Sequence, residues 1–339
     1  MATIAFFELE PWQKRYIRKR LSKHNLVFID DALKPENAAK AKGADILAVF
    51  IHSKIDKKVL NLLPKVKLVT TRSTGFDHID LKECAKRKIA VSNVPAYGDI
   101  TVAEHTFGLI LAISRKIVDA VERTRKAHFE IEGLCGFDLK GKTLGVVGTG
   151  RIGRNVAHIG SCGFGMKVIA YDVYPNEELA KECGFKYVPF EKLLSESDVI
   201  TFHVPLTKET THMLNKKNLN KVKKGAILIN TSRGAVIETG AILEGISRKI
   251  FSGVGLDVLE EECAIKEELE FLSKGFKKAR DIQTLLAEHV LFEQPNVYVT
   301  PHCAFYSKEA LERILDTTIS NIESFLKKSP QNLVKPLNP

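Results

Sequence analysis

Three glycines and one acidic residue lie at a spacing that suits dinucleotide binding. Gly148, Gly150 and Gly153 follow the apolar run LGVV in the order G-x-G-x-x-G, and Asp172 stands 19 residues after the last glycine. In such a sequence the first glycine makes a tight turn, the second lets backbone N–H groups approach a pyrophosphate, and the third lets a helix pack on its strand. The pattern predicts a nucleotide at the start of that helix, where unpaired N–H groups favour an anion.

The acidic residue also indicates which dinucleotide binds. A carboxylate at Asp172 accepts hydrogen bonds from a ribose 2′-hydroxyl but repels the 2′-phosphate of NADP. The next three residues, 173–175, include no Arg or Lys that would neutralise a phosphate. The sequence therefore predicts NAD as the cofactor.

Arg233, Glu262 and His302 follow separate apolar runs and together suit hydride transfer to a 2-oxo acid. A forked guanidinium binds a carboxylate at two points. Histidine titrates near working pH and can give or take the proton of the carbonyl oxygen. A carboxylate beside the imidazole orients it and stabilises the imidazolium. Singly, such residues are commonly structural or exposed, so the prediction depends on their joint placement at strand ends.

Strand-like runs alternate with helical patterns from end to end, which predicts an α/β protein with two doubly wound parallel sheets. A flavodoxin-like substrate domain is expected over 1–101 plus 303–339, and a Rossmann NAD-binding domain over 102–302. The first domain has five strand-like runs, at 4–9, 26–30, 46–52, 68–74 and 89–94. The second has six, at 144–148, 168–172, 198–204, 226–232, 253–258 and 297–302.

Three further segments have helical spacing of their apolar residues. Residues 101–126 read as one long helix, either an oligomer contact or a buried interdomain helix. Residues 307–328 read as an amphipathic helix that returns to cover the first domain. Residues 264–294 form a mostly helical insertion that is longer than an ordinary connection between strands.

Composition limits the class of protein. The chain has 339 residues, 44% hydrophobic and 27% charged, enough for two cores. Its start shows no signal layout and no apolar run approaches ~18 residues, so a cytoplasmic location and no membrane partner are expected. Six cysteines without a C-x-x-C pair indicate free thiols and no metal site. The net charge of +10 is dispersed, which favours small anionic substrates over nucleic acid.

Five motifs make the chain resemble the D-isomer-specific 2-hydroxyacid dehydrogenases over essentially its whole length. They are VGTGRIG (147–153), HVPLTKET (203–210), INTSRGAVIE (229–238), GVGLDVLEEE (253–262) and TPHCAFY (300–306). The resemblance implies that Arg233, Glu262 and His302 are the catalytic residues, with His302 as the acid and base.

The same resemblance implies the binding residues. Asp257 would accept a hydrogen bond from the nicotinamide carboxamide. The loop RSTGFDHID (72–80) is similar to the family's substrate loop, so backbone N–H groups at Thr74 and Gly75 would share the substrate carboxylate with Arg233. The implied cofactor residues are Gly148, Gly150, Arg151, Ile152, Gly153, Asp172, Val204, Pro205, Thr210, Thr231, Ser232, Arg233 and Asp257. The implied side-chain pocket contains Tyr97, Phe305 and Tyr306.

The choice of substrate stays open at this point. TPHCAFY and VPAYGDITVAE (94–104) resemble the D-lactate dehydrogenase-like branch, which makes D-lactate and pyruvate the leading pair. One departure is His52, followed by Ser53, where the lactate enzymes tend to carry a tyrosine. The alternatives are a phosphoglycerate or glyoxylate/hydroxypyruvate reductase, or a non-enzymatic NAD-sensing interaction protein on the same scaffold. A homodimer is expected from the family.

Overall fold

The computed structural model describes residues 1–260 and 279–334. The chain divides into two compact units. Unit 1 consists of Met1–Tyr97 and Ser307–Pro339, and unit 2 consists of Gly98–Tyr306. The chain thus leaves unit 1 once and returns to it once.

Unit 1 is built on a parallel sheet of five strands in the order β2-β1-β3-β4-β5. Successive side chains of a strand point to opposite faces, and in the first strand all four residues from Ile4 to Phe7 are buried, so both faces of the sheet are covered. All five strands were predicted from the sequence. They are β1 (Thr3–Phe7), β2 (Asn25–Ile29), β3 (Ile46–Val49), β4 (Leu68–Thr71) and β5 (Ala90–Ser92).

Unit 2 is built on a parallel sheet in the order β12-β11-β10-β9-β6-β7-β8. The sequence predicts six of these strands. It misses β8, the edge strand Phe185–Tyr187, where the charged Lys186 interrupts the apolar run. The strands are β6 (Thr143–Val147), β7 (Lys167–Tyr171), β8 (Phe185–Tyr187), β9 (Val199–Phe202), β10 (Ala226–Asn230), β11 (Phe251–Leu256) and β12 (Val297–Val299).

Helices connect the strands of both units. The helix predicted over 101–126 is in fact two helices, because Lys116 takes a left-handed backbone conformation with φ 55°. The helices are α1 (Pro11–Arg20), α2 (Lys57–Leu62), α3 (Leu81–Lys86), α4 (Asp99–Ser114), α5 (Ile117–Arg125), α6 (Arg151–His158), α7 (Glu177–Cys183), α8 (Phe190–Glu196), α9 (Thr239–Ser247), α10 (Ala279–Phe292) and α11 (Lys308–Leu326).

The packing of α4 and α11 answers two questions that the sequence leaves open. The apolar side of α4 belongs to the core of unit 2, where Phe107 and Ile110 are buried together with strand residues such as Ile229. The last helix, α11, covers one face of the unit 1 sheet, since Leu315 and Ile322 are buried with Ile4 and Phe6. The tail of the chain thus belongs to unit 1. Among the described residues no helix has the length and apolar character needed to cross a bilayer.

Candidate active site

The glycine turn joins β6 to α6 at the point where the strand order of unit 2 reverses. Strands β7 and β9 flank β6 on opposite sides, which is where open α/β sheets bind ligands. Gly148 has a φ of +90°, and a Cβ on Gly153 would lie 1.8 Å from the carbonyl oxygen of Gly148. A Cβ on Gly150 would instead meet no described atom within 4 Å. The turn is therefore closed on the helix side and open on the other, which fits a pyrophosphate.

Asp172 lies directly after β7 and is held against this turn. Its Oδ2 accepts the backbone N–H of Thr149 at 2.7 Å and the Thr149 hydroxyl at 2.9 Å, and its Oδ1 accepts the N–H of Tyr174 at 2.9 Å. An ionised carboxylate has about four acceptor sites, so capacity remains for a ribose hydroxyl. The chain thus orients the carboxylate before any ligand arrives.

We expect Asp172→Ala to raise KM for NADH by about 10-fold, with a much smaller change for NADPH. The reason is that the substitution removes an acceptor for the 2′-hydroxyl and also removes the charge that repels a 2′-phosphate. Steady-state kinetics with both cofactors measures this, with Glu177→Ala at the start of α7 as a control that removes a nearby acidic charge. Equal kcat/KM for NADH and NADPH in the unmodified enzyme would contradict the role given to Asp172.

The segment after β9 forms the opposite side of the turn. A Cβ on Gly148 would lie 2.7 Å from Cγ1 of Val204, so Val204 packs directly on the glycine. The Thr210 hydroxyl donates to the carbonyl oxygen of Pro205 at 2.6 Å, which closes the following loop on itself. These three predicted nucleotide neighbours therefore belong to one ordered loop beside the turn.

His203 begins this segment and is kept neutral by its surroundings. Its Nε2 lies 2.9 Å from the Thr201 hydroxyl, while Nδ1 is shielded from solvent and has no hydrogen-bond partner among the described residues. Burial lowers the pKa of His203 to about 3, because a protonated ring would hold a charged N–H without an acceptor. The imidazole of the unfolded chain binds this proton near pH 6.5. The contribution of His203 to the free energy of unfolding is therefore present above that pH and is lost as the pH falls toward the pKa of the folded protein.

The free energy of unfolding of the unmodified protein should fall between pH 7 and pH 5. In His203→Gln we expect this fall to be smaller by about 2 kcal/mol. Glutamine keeps a hydrogen-bonding group toward Thr201 but does not titrate. Urea denaturation followed by circular dichroism at both pH values measures the difference, with His24→Gln as the control. Parallel pH dependences in the His203 variant and the unmodified protein would show that His203 is not buried in the neutral form.

The turn after β10 presents Arg233 at the surface of unit 2. Asn230, the last residue of the strand, fixes this turn: its Oδ1 accepts the N–H and hydroxyl of Ser232 at 3.0 and 2.8 Å, and its Nδ2 donates to the carbonyl oxygen of Arg233 at 2.9 Å. Thr231 is buried, with its hydroxyl 3.0 Å from that of Thr106. The guanidinium itself is exposed and donates to the carbonyl oxygen of Ser232 at 2.7 Å. It is therefore available to an anionic ligand.

Gly234 brings the Arg233 turn against the segment that leaves β11. A Cβ on Gly234 would lie 2.0 Å from the backbone of Leu259, a distance that no side chain tolerates. Because β11 lies between β10 and β12, the ends of these three strands share one edge of the sheet. The fold thereby collects residues that are about 70 positions apart in the sequence.

Asp257, at the end of β11, anchors the turn that carries His302. This carboxylate is 1% exposed and accepts the Thr300 hydroxyl at 2.5 Å and the backbone N–H groups of Cys303 and Ala304 at 2.9 Å each. His302 has a φ of +54°, an unusual conformation for a residue with a Cβ. Asp257 thus holds a strained backbone in place, a role that sequence reasoning missed. Its predicted contact with the carboxamide stays a prediction.

Glu262, the third predicted catalytic residue, lies outside the described residues. Its neighbour Glu260 is described and is fully engaged. Its Oε1 lies 2.6 Å from Nε2 of His212, and its Oε2 accepts the N–H and hydroxyl of Thr239 at 3.1 and 2.8 Å. Glu260 therefore joins the segment after β11 to the start of α9, and its two oxygens are already used.

The predicted substrate residues of unit 1 lie after β4 and β5. The Thr74 hydroxyl donates to the carbonyl oxygen of Val94 at 2.9 Å, and the carbonyl oxygen of Gly75 accepts the Ser73 hydroxyl at 2.6 Å. The carbonyl oxygen of Tyr97 accepts a hydrogen bond from Arg313 at 2.7 Å. In unit 2, the rings of Phe305 and Tyr306 lie 5.9 Å apart at 87°. Substrate contacts by these residues stay predictions.

A polar cluster at the carboxyl ends of β1, β3 and β4 was not predicted. Glu8, with a φ of +54°, accepts the Ser53 hydroxyl at 2.5 Å and the N–H of Phe50 at 3.2 Å. Arg72 is 4% exposed and donates to the carbonyl oxygens of Phe7 and Glu8 at 2.6 and 2.8 Å. Burial lowers the pKa of Arg72 to about 10, although the charge of Glu8 opposes that shift. Glu8 belongs to no motif in the sequence, and Arg72 begins the predicted substrate loop without being singled out there, because their contact depends on the folded sheet.

Comparison with known proteins assigns this geometry to a family. Residues 107–304 match the model of the D-isomer specific 2-hydroxyacid dehydrogenase NAD binding domain. The chain belongs to this family. It is 37% identical to D-lactate dehydrogenase of Escherichia coli over 96% of this chain and 97% of that protein. It is 39% identical to glyoxylate reductase of Thermococcus litoralis over 87% of this chain and 85% of that protein.

A solved structure supports the same assignment. The D-lactate dehydrogenase from Aquifex aeolicus, complexed with NAD and lactic acid, superposes with a TM-score of 0.82 at 37% identity, over 99% of this chain and all of that chain. This D-2-hydroxyacid dehydrogenase is therefore an NAD-dependent oxidoreductase with a Rossmann domain, as the sequence predicts. The enzymatic interpretation replaces the alternative of a purely NAD-sensing interaction protein.

Proposed function

We propose that the enzyme interconverts pyruvate and D-lactate, or a 2-oxo acid of closely similar size. The observation that carries this proposal is the uncharged aromatic pair Phe305 and Tyr306 on the turn that follows His302. The segment 300–306 contains no Lys or Arg that would bind a substrate phosphate. Such surroundings suit a small apolar side chain, and the relative from Escherichia coli is named as a D-lactate dehydrogenase.

In the proposed mechanism, the exposed guanidinium of Arg233 binds the substrate carboxylate by two parallel hydrogen bonds. The glycine turn and Asp172 would hold NADH, which would supply the hydride for the carbonyl carbon. His302 donates a proton to the carbonyl oxygen, and Glu262 stabilises the imidazolium before that transfer. Asp257 acts as a positioning residue, because it holds the backbone on the carboxyl side of His302. In the reverse direction neutral His302 takes the proton from the hydroxyl group.

A substrate panel tests the proposal. We expect kcat/KM with NADH to be highest for pyruvate and at least about 10-fold lower for glyoxylate, hydroxypyruvate, 2-oxoisocaproate and phenylpyruvate, since one methyl-sized difference in a pocket changes discrimination by that factor. Highest kcat/KM with glyoxylate or hydroxypyruvate would favour the second candidate, a glyoxylate/hydroxypyruvate reductase. The relative from Thermococcus litoralis, named as a glyoxylate reductase, is the observation that supports that candidate.

We also propose that the enzyme is a homodimer that associates through α5 and the segment after it. This stretch carries five exposed apolar side chains, and Phe129 and Ile131 are 75% and 84% exposed. Apolar patches of this kind on a folded unit mark interaction surfaces. The other three residues are Ile117, Val118 and Val121.

Val121→Glu combined with Ile131→Glu is expected to convert a dimer into a monomer, because both charges would be buried at the interface. Sedimentation equilibrium measures the mass, and Leu62→Glu on α2 is the control for an exposed leucine elsewhere. An unmodified protein that sediments as a monomer would refute the dimer.

The five described cysteines are free thiols, which supports a reducing, cytoplasmic location. Cell fractionation tests that location.

A further inference from the structure

We propose that His105, Asp257 and Cys303 form a binding site for a thiophilic divalent cation such as Zn²⁺, and that an ion bound there inhibits the enzyme. His105 lies on α4, Asp257 follows β11 and Cys303 follows β12, so three separate elements of unit 2 contribute. One ligand atom of each residue lies within 4.8 Å of the other two. Because the residues are far apart in the sequence, no spacing motif indicates them.

The distances suit a tetrahedral ion. Nε2 of His105 lies 3.6 Å from Oδ1 of Asp257. Nitrogen and oxygen ligands at about 2.0–2.1 Å from tetrahedral zinc are separated by about 3.4 Å, so this pair is almost in place. A thiolate lies at about 2.3 Å from zinc and hence about 3.6 Å from a nitrogen or oxygen ligand, so a pair of ligand atoms at the 4.8 Å limit would shorten by roughly 1 Å. The Cys303 thiol already hydrogen-bonds to Asp257, and a water molecule can take the fourth position.

The charge of the site favours a cation. Asp257 is 1% exposed, and no Lys or Arg forms an ion pair with it among residues 1–260 and 279–334. A buried carboxylate is stabilised by a neighbouring positive charge. With the Cys303 thiolate and the Asp257 carboxylate as ligands, one divalent ion makes the site neutral. The backbone N–H groups of Cys303 and Ala304 donate to the Asp257 carboxylate and keep it oriented for the ion.

Two proton shifts accompany binding. Thr300 donates its only hydroxyl hydrogen to Asp257, so it accepts from Nε2 of His105 at 3.1 Å. The histidine must therefore move its proton from Nε2 to Nδ1 before Nε2 can bind a metal. The Cys303 thiol loses its proton to solvent, and burial together with Asp257 raises the pKa of that thiol. Binding therefore releases about one proton and is tighter at higher pH.

Inhibition follows from the position of Cys303 in the chain, and this part rests on the proposed role of His302. Cys303 directly follows His302, and its N–H and that of Ala304 are held by Asp257. An ion that draws the Cys303 side chain and Asp257 together changes the turn that places the imidazole. Binding itself requires no catalytic role for His302, so the two parts can be tested separately.

Binding is tested with Co²⁺ alone, added to the full chain after removal of metals and without cofactor. We expect a thiolate-to-cobalt charge-transfer band in the near ultraviolet that disappears on addition of Zn²⁺. Cys303→Ser is expected to abolish the band. His105→Gln is expected to weaken Co²⁺ binding by at least about 100-fold, since removing even a group that only hydrogen-bonds to a metal ligand lowers metal affinity by 10–100-fold. Retained NADH binding shows that each variant is folded.

The matched controls are other cysteines. Cys162 has its Sγ 3.7 Å from Nδ1 of His158, so Cys162→Ser removes the other described thiol–imidazole pair. Cys263→Ser removes a thiol outside the described residues. We expect the band to persist in both controls. Absence of a band in the unmodified protein, or a band unchanged in Cys303→Ser, would overturn the site and leave a hydrogen-bonded structural cluster only.

Activity tests the second part. Zn²⁺ is expected to lower kcat for 2-oxo acid reduction in the unmodified enzyme, and Cys303→Ser is expected to require at least about 100-fold more Zn²⁺ for the same inhibition. Cobalt binding without Zn²⁺ inhibition would overturn the inhibitory role. A protein that reduces no 2-oxo acid would refute the proposed function, while the cobalt spectrum would still decide whether the site exists.

Discussion

His302→Ala is expected to lower kcat for the reduction of the preferred 2-oxo acid by about 1,000-fold at every pH, because general acid catalysis contributes 10²- to 10⁴-fold. The carbonyl oxygen then has to take its proton from water. NADH binding is expected to change little, since the glycine turn and Asp172 lie at β6 and β7, whereas His302 follows β12. Steady-state kinetics and NADH fluorescence titration measure the two effects.

The control for His302 is His24→Ala in unit 1, which removes an imidazole that accepts only a weak hydrogen bond from Ala2 at 3.4 Å. A His302 variant with near-normal kcat would eliminate His302 as the proton donor.

Glu262→Gln tests the proposed pairing of Glu262 with His302, because it removes the negative charge of the carboxylate and keeps the shape of the side chain. We expect that variant to have a lower kcat for reduction, because the imidazolium of His302 loses the carboxylate that stabilises it. Glu260 is a poorer candidate for the partner, since both its oxygens bind His212 and Thr239.

Arg233→Lys is expected to lower kcat by about 100-fold and to raise KM for the 2-oxo acid, because an ammonium group cannot reproduce the two parallel hydrogen bonds of a guanidinium. The geometry of the turn makes this substitution informative. Asn230 holds the backbone of Ser232 and Arg233, and the side chain is exposed, so lysine fits without repacking.

The matched control is Arg248→Lys, which alters an exposed arginine paired with Glu244 on the surface of unit 2. We expect its kinetics to equal those of the unmodified enzyme. An Arg233 variant in which only the affinity for NADH changes would assign this arginine to the cofactor. An unchanged KM for the 2-oxo acid would remove Arg233 from the substrate site.

Arg233 and His302 are connected through the backbone that surrounds them. Gly234 packs on Leu259, and Asp257 binds the N–H groups after His302, so the turns after β10 and β12 both rest on the segment after β11. For that reason we expect a change at Asp257 to affect both kcat and KM, although its carboxylate is buried. The structure thereby connects residues that the sequence treats as independent motifs.

The sequence by itself determined the fold class, the cofactor and the family. Hydrophobic runs of strand length alternating with helical periods are local patterns, so they identify parallel α/β sheets without knowledge of contacts. The glycine spacing before α6 and the acidic residue after β7 are also local, because one turn and one strand position them. Two local features were missed: β8 is an edge strand interrupted by the charged Lys186, and the break at Lys116 depends on one backbone angle.

The tertiary structure alone decided how distant residues cooperate. Asp257 supports His302 because β11 and β12 are neighbours, and His105 reaches the same carboxylate because α4 packs on this sheet. Glu8, Ser53 and Arg72 meet because three strands of unit 1 end at one edge. Such clusters leave no spacing in the sequence, since each member comes from a different element. Their chemistry depends on burial and hydrogen bonding, and both arise only when the chain is folded.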